Sequence, residues 1–375
     1  MATFDNPAFD DHEAVHFFSS PPSGLRAIIA IHSTALGPAA GGCRYWHYES
    51  SELALTDALR LSRGMSYKNA LAGLPVGGGK AVILKPGVAP DRATLFAAYG
   101  RAVNSLAGQY ITAEDVGTRV EDMREVAKVT RYVSGLAGDA SRAGGDPSPK
   151  TAYGVYLAMK EAWRFATGSD ALTGVRVAVQ GLGGVGGALC ALLHREGASL
   201  IVADISETRA RQTAREYSAL MAEPDELLGA EADILAPCAL GGVLHARSIE
   251  TLRVRVICGA ANNQLANRED GERLRARGIL YAPDYVVNAG GIISVALEYL
   301  RSGSEAEAQA RIEKIPLTLR KILESAAASG ASTSDVADRL AQQCIAAAVG
   351  EHRAGVARQP VRDDLLPGLH PSAHT

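Results

Sequence analysis

The chain has 375 residues, enough for two or three domains with buried cores, and its 47% hydrophobic and 21% charged content is that of a globular protein. A net charge of −3 without a basic stretch gives nucleic acid or an anionic membrane little to attract. No apolar run approaches the roughly 18 residues a membrane span needs.

Apolar runs and helical segments alternate along the chain. Residues 25–31 (LRAIIAI) read as a strand, 53–71 as a helix and 81–84 (AVIL) as a buried strand. Pro90 stands where a helix through 92–106 begins; 110–112 is a short strand and 119–129 a helix. The stretch 144–150 (GGDPSPK) reads as a domain boundary or hinge. Beyond it come a helix over 151–167, strands at 175–179 and 200–203, and a helix at 185–196 between them. Further strands fit 233–235, 254–258 and 279–281. Strands separated by helices imply a parallel, doubly wound sheet. Helices over 305–328 and 334–349 follow outside the sheet, and 353–375, with three prolines, reads as a mobile tail.

Four acidic residues and no apolar core within the first 13 residues argue against a secretory signal. Cysteines at 43, 190, 238, 258 and 344 are odd in number and show no C-x-x-C spacing. No disulfide framework or thiolate zinc site is expected, and a reducing cytoplasm fits best.

Gly181, Gly183 and Gly186 form a G-x-G-x-x-G motif that follows the 175–179 strand and opens a helix. The next strand ends at Asp204, 18 residues past Gly186. Such glycines let backbone approach a pyrophosphate at a helix N-terminus, and such an acid holds both ribose hydroxyls. Ile205 follows, with no adjacent Arg to meet a 2′-phosphate, so NAD is favoured over NADP.

Two other motifs fail on context. His12 and His16 match H-E-x-x-H, but Phe-Phe-Ser-Ser-Pro-Pro ends any helix there and no third ligand follows, so no metal is expected. Gly77-Gly78-Gly79-Lys80 lacks the first Gly and the Ser or Thr of a P-loop, whose places hold Leu74 and Ala81. That leaves Lys80 unexplained, at a strand entrance lined by bare backbone. Only 8 of the 38 basic residues are Lys, and only Lys readily gives up its proton near neutrality. Lys68, with Glu114 and Asp115 after the 110–112 strand, completes a set of groups suited to a cleft beside a dinucleotide fold. Solvated surface charge is the bland alternative.

The segments R-G-M-S-Y-K-N at 63–69, G-G-G-K at 77–80, T-A-E-D-V-G at 112–117, A-A-N-N-Q at 260–264 and N-A-G-G at 288–291 resemble the glutamate/leucine/phenylalanine/valine dehydrogenases. The likeness runs from about residue 10 to 350 and is nearest to the leucine and valine branch. It implies an α/β fold of two domains with a cleft between them. These are an N-terminal substrate domain over 1–148, joined by the C-terminal helix 334–350, and a Rossmann-type, doubly wound NAD domain over 149–330.

The resemblance implies reversible, NAD-dependent oxidative deamination of an L-amino acid to its 2-oxo acid and ammonia. By it, Lys68 binds the substrate carboxylate, Lys80 is the general base and Asp115 shares in proton transfer. Gly41, Gly42, Asn262 and Ile292 fall on the substrate side. Thr151, Val185, Cys238, Ala239, Ala261 and Asn288 fall on the cofactor side with the glycine motif and Asp204. A lysine beside another ammonium and away from water is a base near neutrality, while Lys68 is expected to stay charged on its carboxylate partner.

Position 40 holds Ala, where glutamate dehydrogenases carry Lys and leucine dehydrogenases commonly Leu. Glutamate is therefore improbable, its second carboxylate being buried unpaired. Ala40 enlarges the pocket, whereas Ala113 and Val295 match leucine-type choices. Cys43 replaces a usual Thr and carries no functional assignment. The expectation is a branched-chain amino acid dehydrogenase, homo-oligomeric (dimer to octamer) and cytoplasmic. An aromatic amino acid dehydrogenase and a catalytically silent NAD-binding homologue are the alternatives.

Overall fold

The computed structural model describes residues 3–88, 90–136, 146–300 and 303–353. The N-terminal part contains β1 (Ala14–Ser20), β2 (Leu25–Ser33), β3 (Ala39–Trp46), α1 (Ser51–Leu71), β4 (Gly77–Leu84), α2 (Arg92–Ser105), β5 (Tyr110–Glu114) and α3 (Val120–Ala127). Its sheet runs β1-β2-β4-β3-β5, with β3, β4 and β5 parallel and the β1–β2 hairpin antiparallel to β4. The Ser50 side chain caps α1 by accepting from the Leu53 amide. Ala54, Ala58 and Leu59 on that helix bury against Ile28, Ala30 and Val82 of the sheet. Burying a side chain such as Leu59 is worth about 1.5–3 kcal/mol.

The second part contains α4 (Ser148–Thr167), β6 (Arg176–Gln180), α5 (Gly184–Arg195), β7 (Ser199–Ala203), α6 (Glu207–Tyr217), β8 (Leu220–Met221), β9 (Ile234–Pro237), α7 (Ala246–Thr251), β10 (Val256–Ile257), α8 (Glu269–Ala276) and β11 (Leu280–Tyr281). The sheet is wholly parallel and runs β11-β10-β9-β6-β7-β8. Chain direction across the sheet reverses between β6 and β9, the switch point at which doubly wound sheets bind ligands. Then follow α9 (Asp284–Val287), α10 (Gly290–Leu300), α11 (Glu305–Ile312), α12 (Ile315–Ser329) and α13 (Thr333–Arg353). The last of these returns to the N-terminal part: Ala341 and Ile345 pack with Tyr67 and Ala70, and Gln342 donates to the Tyr67 hydroxyl. One apolar core joins Val177, Val202 and Ile234 to Ala40, Val76 and Ile111, so the two sheets share buried contacts beside the cleft.

Several expectations need correction. The AVIL strand begins earlier, at Gly77, so Lys80 lies inside β4 rather than at its entrance. The glycines belong to the strand because its neighbours press on it: a Cβ on Gly78 would stand 2.0 Å from the Ser66 amide of α1. The single helix over 305–328 is two, α11 and α12; Pro316 lacks an amide and so fits only the first turn of a new helix. Residues 14–20 and 39–46 form strands that the sequence reading passed over. Of the 144–150 stretch, Gly144 and Gly145 lie outside the described residues, and Ser148 already opens α4. The 354–375 part of the tail also lies outside them. His16 stands on β1, while His12 precedes it and meets Ser62 Oγ at 2.9 Å, so the two share no helix face. Among the described residues no helix is long and apolar enough to cross a membrane.

Candidate active site

Three neighbouring parallel strands and the last turns of α1 bring the chemistry together. Lys80 comes from β4, Asp115 lies just past β5, and Lys68 projects from α1. Asp115 Oδ2 lies 3.1 Å from Lys80 Nζ, and Lys80 is only 4% exposed. Gly42 on β3 permits this approach, since a Cβ there would stand 2.8 Å from the Asp115 Cβ. Gly41, beside it, backs onto the Gly79 carbonyl.

Burial pushes the Lys80 ammonium toward its neutral form; Arg44 adds to this and Asp115 opposes it. Burial also brings Lys68 down to about 8, Lys80 lowering it further and Asp284 opposing. Lys68 therefore stays mostly charged at neutral pH and loses its proton as pH rises through about 8. For Asp115, burial alone would raise the carboxyl, but the charges of Lys80 and Arg44 outweigh it and hold it at about 2.

Arg44 is the group that sequence reasoning missed. Its Nε donates to Asp115 Oδ2 at 2.9 Å and its Nη1 to Asp57 Oδ2 at 2.9 Å. The available signal was its place two residues beyond Gly42 on the strand that pairs with β5. With 30 arginines in the chain, nothing local distinguishes this one.

Across the cleft, Lys68 Nζ donates to Asn262 Oδ1 at 3.0 Å, linking α1 to the loop after β10. Asn288 Nδ2 donates to the same oxygen at 3.0 Å and to the Ala260 carbonyl. Ala261, in the same loop, is buried.

The G-x-G-x-x-G turn joins β6 to α5. Gly181 adopts φ +89°, and a Cβ on Gly186 would stand 1.9 Å from the Gly181 carbonyl. Cys238 and Ala239 flank the turn, Ala239 against Gly181 and Cys238 against Gly186. Gly183 faces open space and Val185 is half-buried in the first turn of α5. Asp204, at the end of β7, accepts from the Leu182 and Ser206 amides at 2.7 and 2.8 Å. Arg209 Nη1 lies 3.2 Å from both of its oxygens. Thr151, on α4, donates to the Pro147 carbonyl and backs Gly291. Gln180 Oε1 and Asn288 Oδ1 are buried acceptors without a protein partner, free to accept from a bound amide. Backbone turn, acid and orphaned acceptors together fit a nicotinamide dinucleotide.

Between β3, β5 and α10 lies a small apolar cavity of about 10 Å³. Ala40, Ala113, Ile292 and Val295 line it, as the resemblance implies, and so do Ile111 and Tyr299. These last two come from separate parts of the chain and carry no local motif. Ser134 Oγ donates to the Val295 carbonyl, and Glu298 accepts from the Gly135 and Leu136 amides, tying α10 to the segment after α3.

Two family models match the chain: the Glu/Leu/Phe/Val dehydrogenase dimerisation domain over residues 12–132 and Glutamate/Leucine/Phenylalanine/Valine dehydrogenase over 201–353. A leucine dehydrogenase of Thermoactinomyces intermedius is 48% identical over 345 residues, 92% of this chain and 94% of the relative. One of Bacillus subtilis (strain 168) is 47% identical over 335 residues, 89% of this chain and 92% of that one. The crystal structure of L-tryptophan dehydrogenase from Nostoc punctiforme aligns with a TM-score of 0.75 at 43% identity, covering 90% of this chain and 97% of that one. With both family models placed in order on the two sheets, the chain belongs to the Glu/Leu/Phe/Val dehydrogenases, a family of NAD(P)-dependent oxidoreductases.

Proposed function

We propose that the protein catalyses the reversible, NAD-dependent oxidative deamination of branched-chain L-amino acids to 2-oxo acids and ammonia. The observation that carries this reading is the convergence of Lys68, Lys80 and Asp115 in one buried cleft facing the Asn262 loop. A catalytically silent homologue has no need of two desolvated lysines.

In this reading Lys68 holds the substrate α-carboxylate with help from Asn262. When bound, NAD supplies the hydride acceptor for the substrate Cα. Lys80, neutral, takes a proton from the water that adds to Cα, and Asp115 exchanges a proton with the departing nitrogen. Arg44 fixes Asp115 as a carboxylate at the start of the cycle. Gly41 and Gly42 let β3 lie close against the Gly79 carbonyl and Asp115.

The apolar lining, without a cation among Ala40, Ile111, Ala113, Ile292 and Val295, supports a hydrocarbon side chain over a carboxylate-bearing one. The relatives lean toward the branched-chain class: leucine dehydrogenases stand at 47–48% identity and a phenylalanine dehydrogenase of Caldalkalibacillus thermarum at 42%. NAD is favoured because Asp204 would meet a 2′-phosphate with like charge while Arg209 is committed to Asp204. We divide the chain into a substrate domain over 1–148, completed by 334–350, and an NAD domain over 149–330. Homo-oligomerisation fits the match to a dimerisation-domain model and the edge position of β1 with its exposed Phe17. A cytoplasmic setting agrees with five unpaired cysteines. The test is a panel of L-amino acids with NAD, followed by NADH formation; turnover of none would overturn the reading.

A further inference from the structure

Asp284, the first residue of α9, is a buried carboxylate that the proposed chemistry does not use; it is 6% exposed. Its Oδ2 accepts from the Gln264 amide at 3.2 Å and its Oδ1 from the Tyr281 hydroxyl at 3.3 Å. The amides of Asn263 and Tyr285 also donate to it. Each contact supplies a donor, and these donors together with the Lys68 charge oppose the burial that pushes the Asp284 carboxyl up.

Two of these donors belong to the segment that carries Asn262. Asn263 there adopts φ +53°, and the Gln264 side chain donates to the Gly259 and Ala261 carbonyls, closing the segment on itself. Asp284 therefore anchors the loop whose Asn262 meets Lys68. Its charge also opposes the desolvation of Lys68, more than that of Asp115 does. Lys68 is faced by Asp284 from α9, Lys80 from β4 and Asp115 beyond β5. Asp284 is faced by Lys68 from α1, by Tyr281 from β11 and by Tyr285 beside it, whose hydroxyl donates to Asp338 of α13 at 2.5 Å. A cavity of about 230 Å³ behind Asp284 is lined by Arg60, Arg63 and Arg268 together with Asp10, Asp335 and Asp338. Apart from Asp284 itself, those charges number three against three.

We propose that Asp284 is a positioning residue for substrate carboxylate binding, holding the Asn262 loop in place and serving as the counter-charge of Lys68. The inference rests on the assignment of Lys68 to the substrate carboxylate. It reaches further, naming the group that keeps Lys68 able to bind as pH rises.

The test is calorimetric binding of 4-methylpentanoate, an unreactive branched-chain carboxylate, to the full-length protein across pH. Asp284→Asn keeps the shape and one of the two acceptor oxygens but removes the charge. It is expected to weaken binding about tenfold at neutral pH and to lower the pH at which binding fades by about one unit. In a Lys68→Arg background, whose cation cannot titrate in this range, Asp284→Asn should produce no such displacement. Asp284→Glu, should the Asn variant not fold, keeps the pH of fading while weakening affinity. An unchanged affinity and fading pH in Asp284→Asn, the same displacement in the Lys68→Arg background, or unchanged affinity in Asp284→Glu overturns the inference. An unmodified protein that turns over leucine while the variants bind as it does overturns this inference alone. One that turns over no amino acid overturns the functional reading beneath it.

Discussion

Lys80→Ala separates the two lysines by role. If Lys80 is the general base, its loss should lower kcat by ~10²–10⁴, or about 3–5 kcal/mol of barrier. The fold should survive, because Asp115 keeps its 2.9 Å contact with Arg44 and is not left as a stranded buried charge. NAD affinity should hold, since the glycine turn lies on the other sheet. The same variant makes a second, opposite-signed demand. Burial is the largest force lowering Lys68 to about 8, but the Lys80 charge lowers it as well. Removing Lys80 should therefore raise Lys68, and carboxylate binding should persist to higher pH while turnover collapses. Steady-state NADH formation gives the first quantity; titration with the 2-oxo acid between pH 7 and 10 gives the second. Turnover within threefold of the unmodified protein, or binding that fades at lower pH, would refute the assignment of base and carboxylate holder.

Three further outcomes follow from the same geometry. Asp115→Asn removes the charge that opposes the neutral form of Lys80 and the group that exchanges a proton with the nitrogen, so turnover should fall, while denaturant melts across pH report the stability. Because the Asp115 carboxyl is held at about 2 against an ordinary 3.8, its stabilisation is complete above about pH 4 and lost as pH falls through 2. That acid-side loss should be absent from the variant. Asp204→Ala removes the acceptor for the Leu182 amide and frees Arg209. NAD affinity should drop about tenfold and the preference over NADP should shrink, as measured by the ratio of kcat/KM values; an unchanged ratio would sink the ribose assignment. Ala40→Leu adds bulk to a cavity of about 10 Å³ and should reduce kcat/KM for phenylalanine more than for valine. Each methylene of misfit costs ~1–3 kcal/mol, and equal losses would show that residue 40 does not touch the side chain.

Much of this protein was legible in the chain itself because the signals are local. The strand–glycine–helix passage ending at Asp204 requires only that nearby residues obey backbone sterics, and the structure forms it over β6, α5 and β7. Lys68 and Lys80 stood out because lysine is scarce here and each sits in an apolar or glycine-bearing segment. The remainder depended on contacts between distant residues. The glycines before Lys80 join β4 because distant segments crowd them, Ser33 and Gly37 at Gly77, Ser66 of α1 at Gly78 and Tyr110 of β5 at Gly79, a pressure that no nearby residue announces. Arg44 became part of the site through strand register, which sets it beside Asp115, 71 residues away. Tyr299, Ile111 and Ala40 form one wall only once α10 meets the N-terminal sheet. Burial had to be known before the lysines could be assigned their proton affinities. Sequence determines which groups can ionise, but only the folded surroundings decide how much water and which opposing charges each one keeps.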